Sequence, residues 1–143
     1  MKTFRASFMT GLALQLLTGP IHLAGQLSGP PAPASEDEKL LMDLMQRVEQ
    51  DFGLGFVRST LDIVTGLGFQ YSIFMVMVGV TNLIALRMVK DGRFLRALAW
   101  VNVVFMGILA VNAYVYLFIA PLLLFVLPAV AFFVASVNAP TSA

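Results

Sequence analysis

FLRALAWVNVVFMGILAVNAYVYLFIAPLLLFVLPAVAFFVASV, the run from Phe94 to Val137, holds 44 residues and a single charge, Arg96. A helix rises about 1.5 Å per residue, so about 20 apolar residues cover the roughly 30 Å of hydrocarbon in a bilayer. The run is too long for one crossing and suits two. A turn is therefore expected inside it, between Tyr114 and Pro121. Pro121 fits the first turn of a new helix, and Tyr114 and Tyr116 fit the lipid–water interface. The spans on either side are predicted over 94–115 and 117–137, with Pro128 bending the second.

Upstream, Lys90-Asp91-Gly92-Arg93 reads as a tight polar link. Before it, Phe56 to Met88 forms another apolar stretch, long enough to tilt, that carries Asp62, Gln70 and Asn82. A further span is expected over Ala6–Leu27. Lys2 and Arg5 give this segment the basic start of a signal peptide, but Gln15, Pro20 and His22 interrupt the apolar run that a signal peptide needs. It is read as a true first span. The whole, residues 1–143, is then one all-α domain: a polytopic four-transmembrane-helix bundle.

Composition agrees. The chain is 59% hydrophobic and 12% charged, where soluble domains carry roughly a quarter charged residues. A net charge of +1 provides no basic field for nucleic acid, and with no cysteine there is no disulfide, thiolate nucleophile or thiolate-held metal.

Between the first two spans the chain changes character. Gly29-Pro30-Pro31-Ala32-Pro33-Ala34 cannot continue a helix. Ser35 and Glu38 have capping-box spacing. Leu41, Leu44, Met45, Val48 and Phe52 then follow a helical apolar stripe, while Glu38, Asp43, Arg47, Glu49 and Gln50 take the other positions. A short amphipathic surface helix is predicted, the loop and helix together covering 29–53 and stopping near Gly53 and Gly55.

Cytoplasmic loops are enriched in Lys and Arg. Lys2, Arg5, Arg87, Lys90, Arg93 and Arg96 share one side, whereas Lys39, Arg47 and Arg58 sit among Glu36, Asp37, Glu38, Asp43, Glu49 and Asp51. Both termini are thus expected in the cytoplasm, with the acidic loop outside.

Polar groups at membrane depth mark where chemistry is possible, because they cost free energy there and face the bundle interior. Gln15, Thr18, His22 and Gln26 recur along one side of span one, and Ser59, Asp62, Gly66 and Gln70 along one side of span two. His22, Gln26, Asp62 and Gln70 form the candidate polar site. At helical rise His22 falls near Gln70, and Asp62 about 12 Å further out. If His22 and Asp62 meet, they make a proton-handling pair. Otherwise the stripe supplies interhelical hydrogen bonds, and Asp62 pairs with Arg58 at the headgroups.

Asn82, Asn102 and Asn112 read as interhelical contacts, and Ala131 and Ala135 as a small-residue packing surface for the bundle or for another chain. Gly-Leu-Gly-Phe occurs at Gly53–Phe56 and again at Gly66–Phe69. The first copy is read as the end of the surface helix, and Gly66, Gly68 and Gly79 as points of close helix approach. No metal or other cofactor is implied: one histidine and one carboxylate within the spans fall short of a ligand set, and bis-histidine haem ligation within one chain is impossible.

The segment Thr18-Gly-Pro-Ile-His22-Leu-Ala-Gly25, the proline-broken loop, the surface helix and the proline-marked turn before the last span together resemble a group of small bacterial four-helix membrane proteins of uncharacterised function. The likeness covers most of the chain by layout and His22 and Gly25 by motif. It implies a bacterial inner membrane and a four-helix bundle, and brings no activity with it. The functions expected are a non-catalytic accessory or assembly subunit, in contact with membrane lipid and with other membrane subunits or copies of itself, or a bundle that binds, transports or transforms a small molecule or lipid at a polar site between spans one and two.

Overall fold

A computed structural model describes residues 2–139. Five helices account for most of them: α1 (Lys2–Leu27), α2 (Glu36–Arg47), α3 (Thr60–Met88), α4 (Gly92–Tyr116) and α5 (Ile119–Val137). Three of these, α3, α4 and α5, are long and apolar enough to cross a membrane. Their outward faces are apolar as well, with Ile73, Val101, Ile108 and Val130 all more than half exposed. Apolar surface of this extent suits lipid, which marks the chain as a membrane protein. α1 is as long but carries the polar stripe Gln15, Thr18, His22 and Gln26, and is less apolar than the other three.

α1 lies between α3 and α5, α5 packs on α4, and α3 and α4 touch only lightly. The buried positions repeat at steps of three and four: Phe4, Phe8, Gly11, Gln15 and Thr18 on α1, Ser72, Met75, Gly79, Asn82 and Leu86 on α3. On α4 they are Leu95, Ala99, Asn102 and Met106, and on α5 Phe125, Pro128, Phe132 and Ala135. A mean step of 3.5 keeps one seam of each helix on its neighbours along its whole length. Small residues set the separations. A Cβ on Gly19 would lie 2.7 Å from the Ser72 carbonyl oxygen, and one on Gly79 would lie 2.5 Å from the Leu16 side chain. The Phe8 ring meets that of Phe132 edge-on at 5.2 Å.

The turn within the long apolar run falls at Leu117 and Phe118, and Pro121 occupies the first turn of α5 as expected. Outside the bundle, the Ser35 hydroxyl accepts from the Glu38 N–H and caps α2, while the Glu38 carboxylate accepts from the Ala34 N–H. The surface helix is shorter than its apolar stripe suggests. It ends at Arg47, and Val48 turns the chain into an antiparallel hairpin, β1 (Glu49–Asp51) paired with β2 (Val57–Ser59). Gly53, Leu54 and Gly55 all take positive φ at its tip, where the Asp51 carboxylate accepts from the Gly53 N–H at 2.7 Å. The first Gly-Leu-Gly-Phe thus builds a hairpin turn rather than a helix end, because consecutive left-handed residues favour glycine. The second copy lies within α3. The hairpin also takes Val57 to Ser59 out of the predicted second span, which begins at Thr60.

Candidate functional site

The polar stripe of α1 does face the bundle, and it meets two different environments. In the middle of the bundle, Gln15 is fully buried, and its side-chain oxygen accepts from Asn82 Nδ2 at 3.0 Å. Asn82 and Asn102 exchange hydrogen bonds, and Asn102 Nδ2 also donates to the Leu98 carbonyl. This amide cluster ties α1, α3 and α4 together and leaves Gln15 Nε2 without a partner among the described residues. A groove of about 400 Å³ lies alongside it between α3 and α4, lined by Thr81, Asn82, Asn102 and apolar side chains. Asn82 is bonded to Gln15 and Asn102, Asn102 also to the Leu98 carbonyl, and the Thr81 hydroxyl donates to the Met77 carbonyl, so the groove has little polar capacity left for a ligand.

Towards the far end of α1 the stripe opens into a larger cavity of about 520 Å³. Its walls come from α1, α3, α4 and α5: Thr18, His22 and Gln26, then Tyr71, then Asn112, then Pro121 and Phe125. Among the described residues no charged side chain lines it. Ile21, Leu117 and Phe118 belong to the lining yet are more than half exposed, which makes them its rim.

His22 is positioned by α3. Its Nδ1 lies 3.0 Å from Ser72 Oγ, and its ring meets the Tyr71 ring edge-on with centroids 4.8 Å apart. Tyr71 in turn packs against Phe125. The Tyr71 hydroxyl oxygen is enclosed and has no hydrogen-bond partner among the described residues. An unpaired buried hydroxyl costs about 1–3 kcal/mol. Gln26 reaches across to Gly68, where a Cβ would lie 2.7 Å from its amide nitrogen. The small residues Gly68 and Ser72 are what allow α1 to bring its long polar side chains against α3.

Of the four candidate site residues, His22 and Gln26 come together in the cavity, while Asp62 and Gln70 lie elsewhere. Asp62 is exposed at the start of α3, where it completes a capping box: its N–H donates to Ser59 Oγ at 3.1 Å, and its carboxylate accepts from the Ser59 N–H at 3.2 Å. Arg58 does not pair with it. The guanidinium donates to the Val57 carbonyl and stands over the Phe56 ring. Gln70 is exposed too. The face of α3 that meets α1 carries Gly68, Ser72, Met75 and Gly79, and Gln70 is two residues, about 200° of helical turn, from both Gly68 and Ser72. Reading polar residues as the contact face selected the wrong side of the helix. The spacing of small residues at 68, 72 and 79 carries the signal that points to Tyr71 and Ser72.

The other candidates divide similarly. Asn102 is a buried interhelical contact, whereas Asn112 is largely exposed and lines the cavity. Ala135 is fully buried within the bundle, and Ala131 is partly covered. Among the described residues no three His, Cys, Asp or Glu side chains gather around a common point that would hold a metal ion.

Chemically, the cavity offers an apolar chamber with a few uncharged hydrogen-bonding groups on one wall, the general form of a small-molecule site. No family model matches the chain, and neither curated proteins nor solved structures give a significant match, so the likeness noted around His22 and Gly25 assigns no family.

Proposed function

We propose that this chain crosses a bacterial inner membrane four times, with both termini in the cytoplasm, and holds a neutral amphiphilic molecule in the cavity between α1, α3, α4 and α5. Support for the fourth crossing comes from the contacts of α1. It runs beside α3 from Gln26 against Gly68 to Leu16 against Gly79, and beside α5 at Gly11 against Phe132. A helix of 26 residues, about 39 Å long, packed along two spans shares their depth. The orientation rests on Lys2, Arg5, Arg87, Lys90, Arg93 and Arg96 lying at one end, and the inner membrane on the resemblance around His22 and Gly25.

The observation that carries the binding role is the cavity of about 520 Å³ itself, walled by four helices, with Thr18, His22, Gln26 and Asn112 among its apolar lining. Native mass spectrometry of the protein released from mild membrane extracts tests it. A defined small molecule should travel with the protein and be lost from His22→Ala while that variant still inserts. A wild-type protein that carries nothing, or a His22→Ala that retains the same mass, rules the site out.

A second reading, as an accessory subunit, is favoured by the extramembrane unit. α2 buries none of its residues, and Leu40, Leu41, Leu54 and Phe56 are exposed apolar groups on α2 and the hairpin. The Ala131–Ala135 face gives this reading less support, since Ala135 already lies inside the bundle. Co-purification of a stoichiometric membrane partner that is lost on Leu54→Asp would favour it.

A further inference from the structure

α3 carries two seams. Ser72, Met75, Gly79, Asn82 and Leu86 are buried within the bundle. On another side of the helix, Gln70, Phe74, Met77, Thr81, Ile84 and Met88 follow one another at the same alternating steps of three and four, and every one of them is exposed. This spacing holds a stripe in one direction along a helix and is the repeat by which two helices interlock. Lipid alone would ask only that the stripe be apolar, and Gln70 is not. It stands about 15 Å along α3 from Thr60 and about 27 Å from Met88, inside the hydrocarbon of a crossing helix. The Thr81 hydroxyl donates to the Met77 carbonyl at 2.9 Å, whereas the Gln70 amide makes no side-chain hydrogen bond among the described residues. An amide at that depth finds its partners on a neighbouring helix, since hydrocarbon offers none.

We infer that α3 pairs with the α3 of a second copy of this chain along the stripe from Gln70 to Met88. Copies of one chain insert with one orientation, so their α3 helices lie parallel, and a residue on the two-fold axis meets its own counterpart at its own depth. A charged side chain in that place would meet its like. An amide both donates and accepts, so two Gln70 side chains satisfy each other. This self-complementarity selects a second copy over a different membrane protein, which would have to bring a polar group of its own to the same depth. Beside the stripe, the groove of about 400 Å³ between α3 and α4 is lined in part by Phe74, Met77 and Thr81 and gives the partner's side chains room to enter. The contact uses neither the cavity around His22 nor α2 and the hairpin, so it stands independently of both readings above.

The chain has no cysteine, so single cysteines in the full-length protein report the contact. In isolated membranes Met77→Cys and Ile84→Cys should each give a disulfide-linked dimer on mild oxidation. Val104→Cys, equally open to lipid but on α4, should not. Energy transfer between labelled copies diluted into phosphatidylcholine vesicles reads the affinity. Gln70→Leu should raise the dimer dissociation constant about tenfold, the scale of interhelical amide bonds, while Gln70→Asn keeps an amide and should stay closer to the wild type. Neither variant should lower the melting temperature, because the Gln70 side chain is exposed within one copy. A protein that stays monomeric at every dilution, a dimer that Gln70→Leu leaves unchanged, or cross-linking stronger at Val104 than at Met77 overturns the pairing. Co-purification of a different membrane protein that is lost on Gln70→Leu overturns the second copy as the occupant.

Discussion

Asn82 on α3 and Asn102 on α4 hold each other by two side-chain hydrogen bonds, of 2.7 and 3.1 Å, across a pair of helices that otherwise touch little. The bonds join consecutive spans where apolar packing is weakest. Within lipid the competing partners are few, yet measured values for such bonds are modest, averaging about 0.6 kcal/mol and reaching about 1.7. A double-mutant cycle of Asn82→Ala and Asn102→Ala, read by reversible unfolding in bicelles, should give a coupling of about 1 kcal/mol. A coupling of zero would mean that the amides do not meet in the bilayer.

The close approach of α1 to α3 depends on Gly19, whose added Cβ would meet the Ser72 carbonyl oxygen at 2.7 Å and Val76 Cγ2 at 2.8 Å. The nearer atom is backbone and cannot step aside cheaply. Gly19→Ala should cost about 1–3 kcal/mol, seen as a lower melting temperature in detergent. Gly66→Ala is the control: nothing lies within 4 Å of its Cβ, so it should be neutral or gain up to about 1 kcal/mol from helix propensity. Equal behaviour of the two variants would contradict the packing of α1 on α3.

Tyr71→Phe separates binding from folding. It removes a hydroxyl that has no hydrogen-bond partner among the described residues and leaves the ring against His22 and Phe125. The ligand-free variant should melt at the wild-type temperature or above it, since an unsatisfied buried group is lost. Retention of a bound amphiphile should stay at the wild-type level, since the enclosed hydroxyl offers no surface to a molecule in the cavity. A destabilised empty protein would show that the hydroxyl is paired after all.

The orientation is open to thiol labelling, because the chain has no cysteine of its own. Ala34→Cys, in the loop before α2, should react with a membrane-impermeant maleimide on intact cells. Ser142→Cys, outside the described residues, should react only after permeabilisation. Labelling of both from the same side would leave an even number of crossings between them and remove α3, α4 or α5 from the set of spans.

Much of the helical layout is legible in the chain because the bilayer is a severe and uniform solvent. It demands about 20 apolar residues per crossing, so Phe94–Val137 had to be two helices, and the polar link at Lys90–Arg93 had to separate α3 from α4. The capping box at Ser35 and Glu38 was equally local, a matter of spacing alone. The hairpin was harder to see. Val48 and Phe52 continue the apolar stripe of α2, and only the pairing of Glu49–Asp51 with Val57–Ser59, closed by glycines at positive φ, draws them out of the helix.

For the site, residue type decided that His22 and Gln26 would turn inward from α1, since polar side chains at that depth seek other protein groups. Which residues they meet was decided by the rotation of α3, and that was set by Gly68, Ser72 and Gly79, the small side chains that let two backbones approach. Asp62 and Gln70 offered the stronger polar signal but stand on other sides of the helix. Sequence alone therefore determined the helices, the link between α3 and α4 and the inward stripe of α1, because those follow from local hydropathy and spacing. The meeting of His22 with Ser72 and Tyr71, and the cavity beside them, belongs to the tertiary structure, because it depends on how four helices rotate to pack their smallest residues against one another.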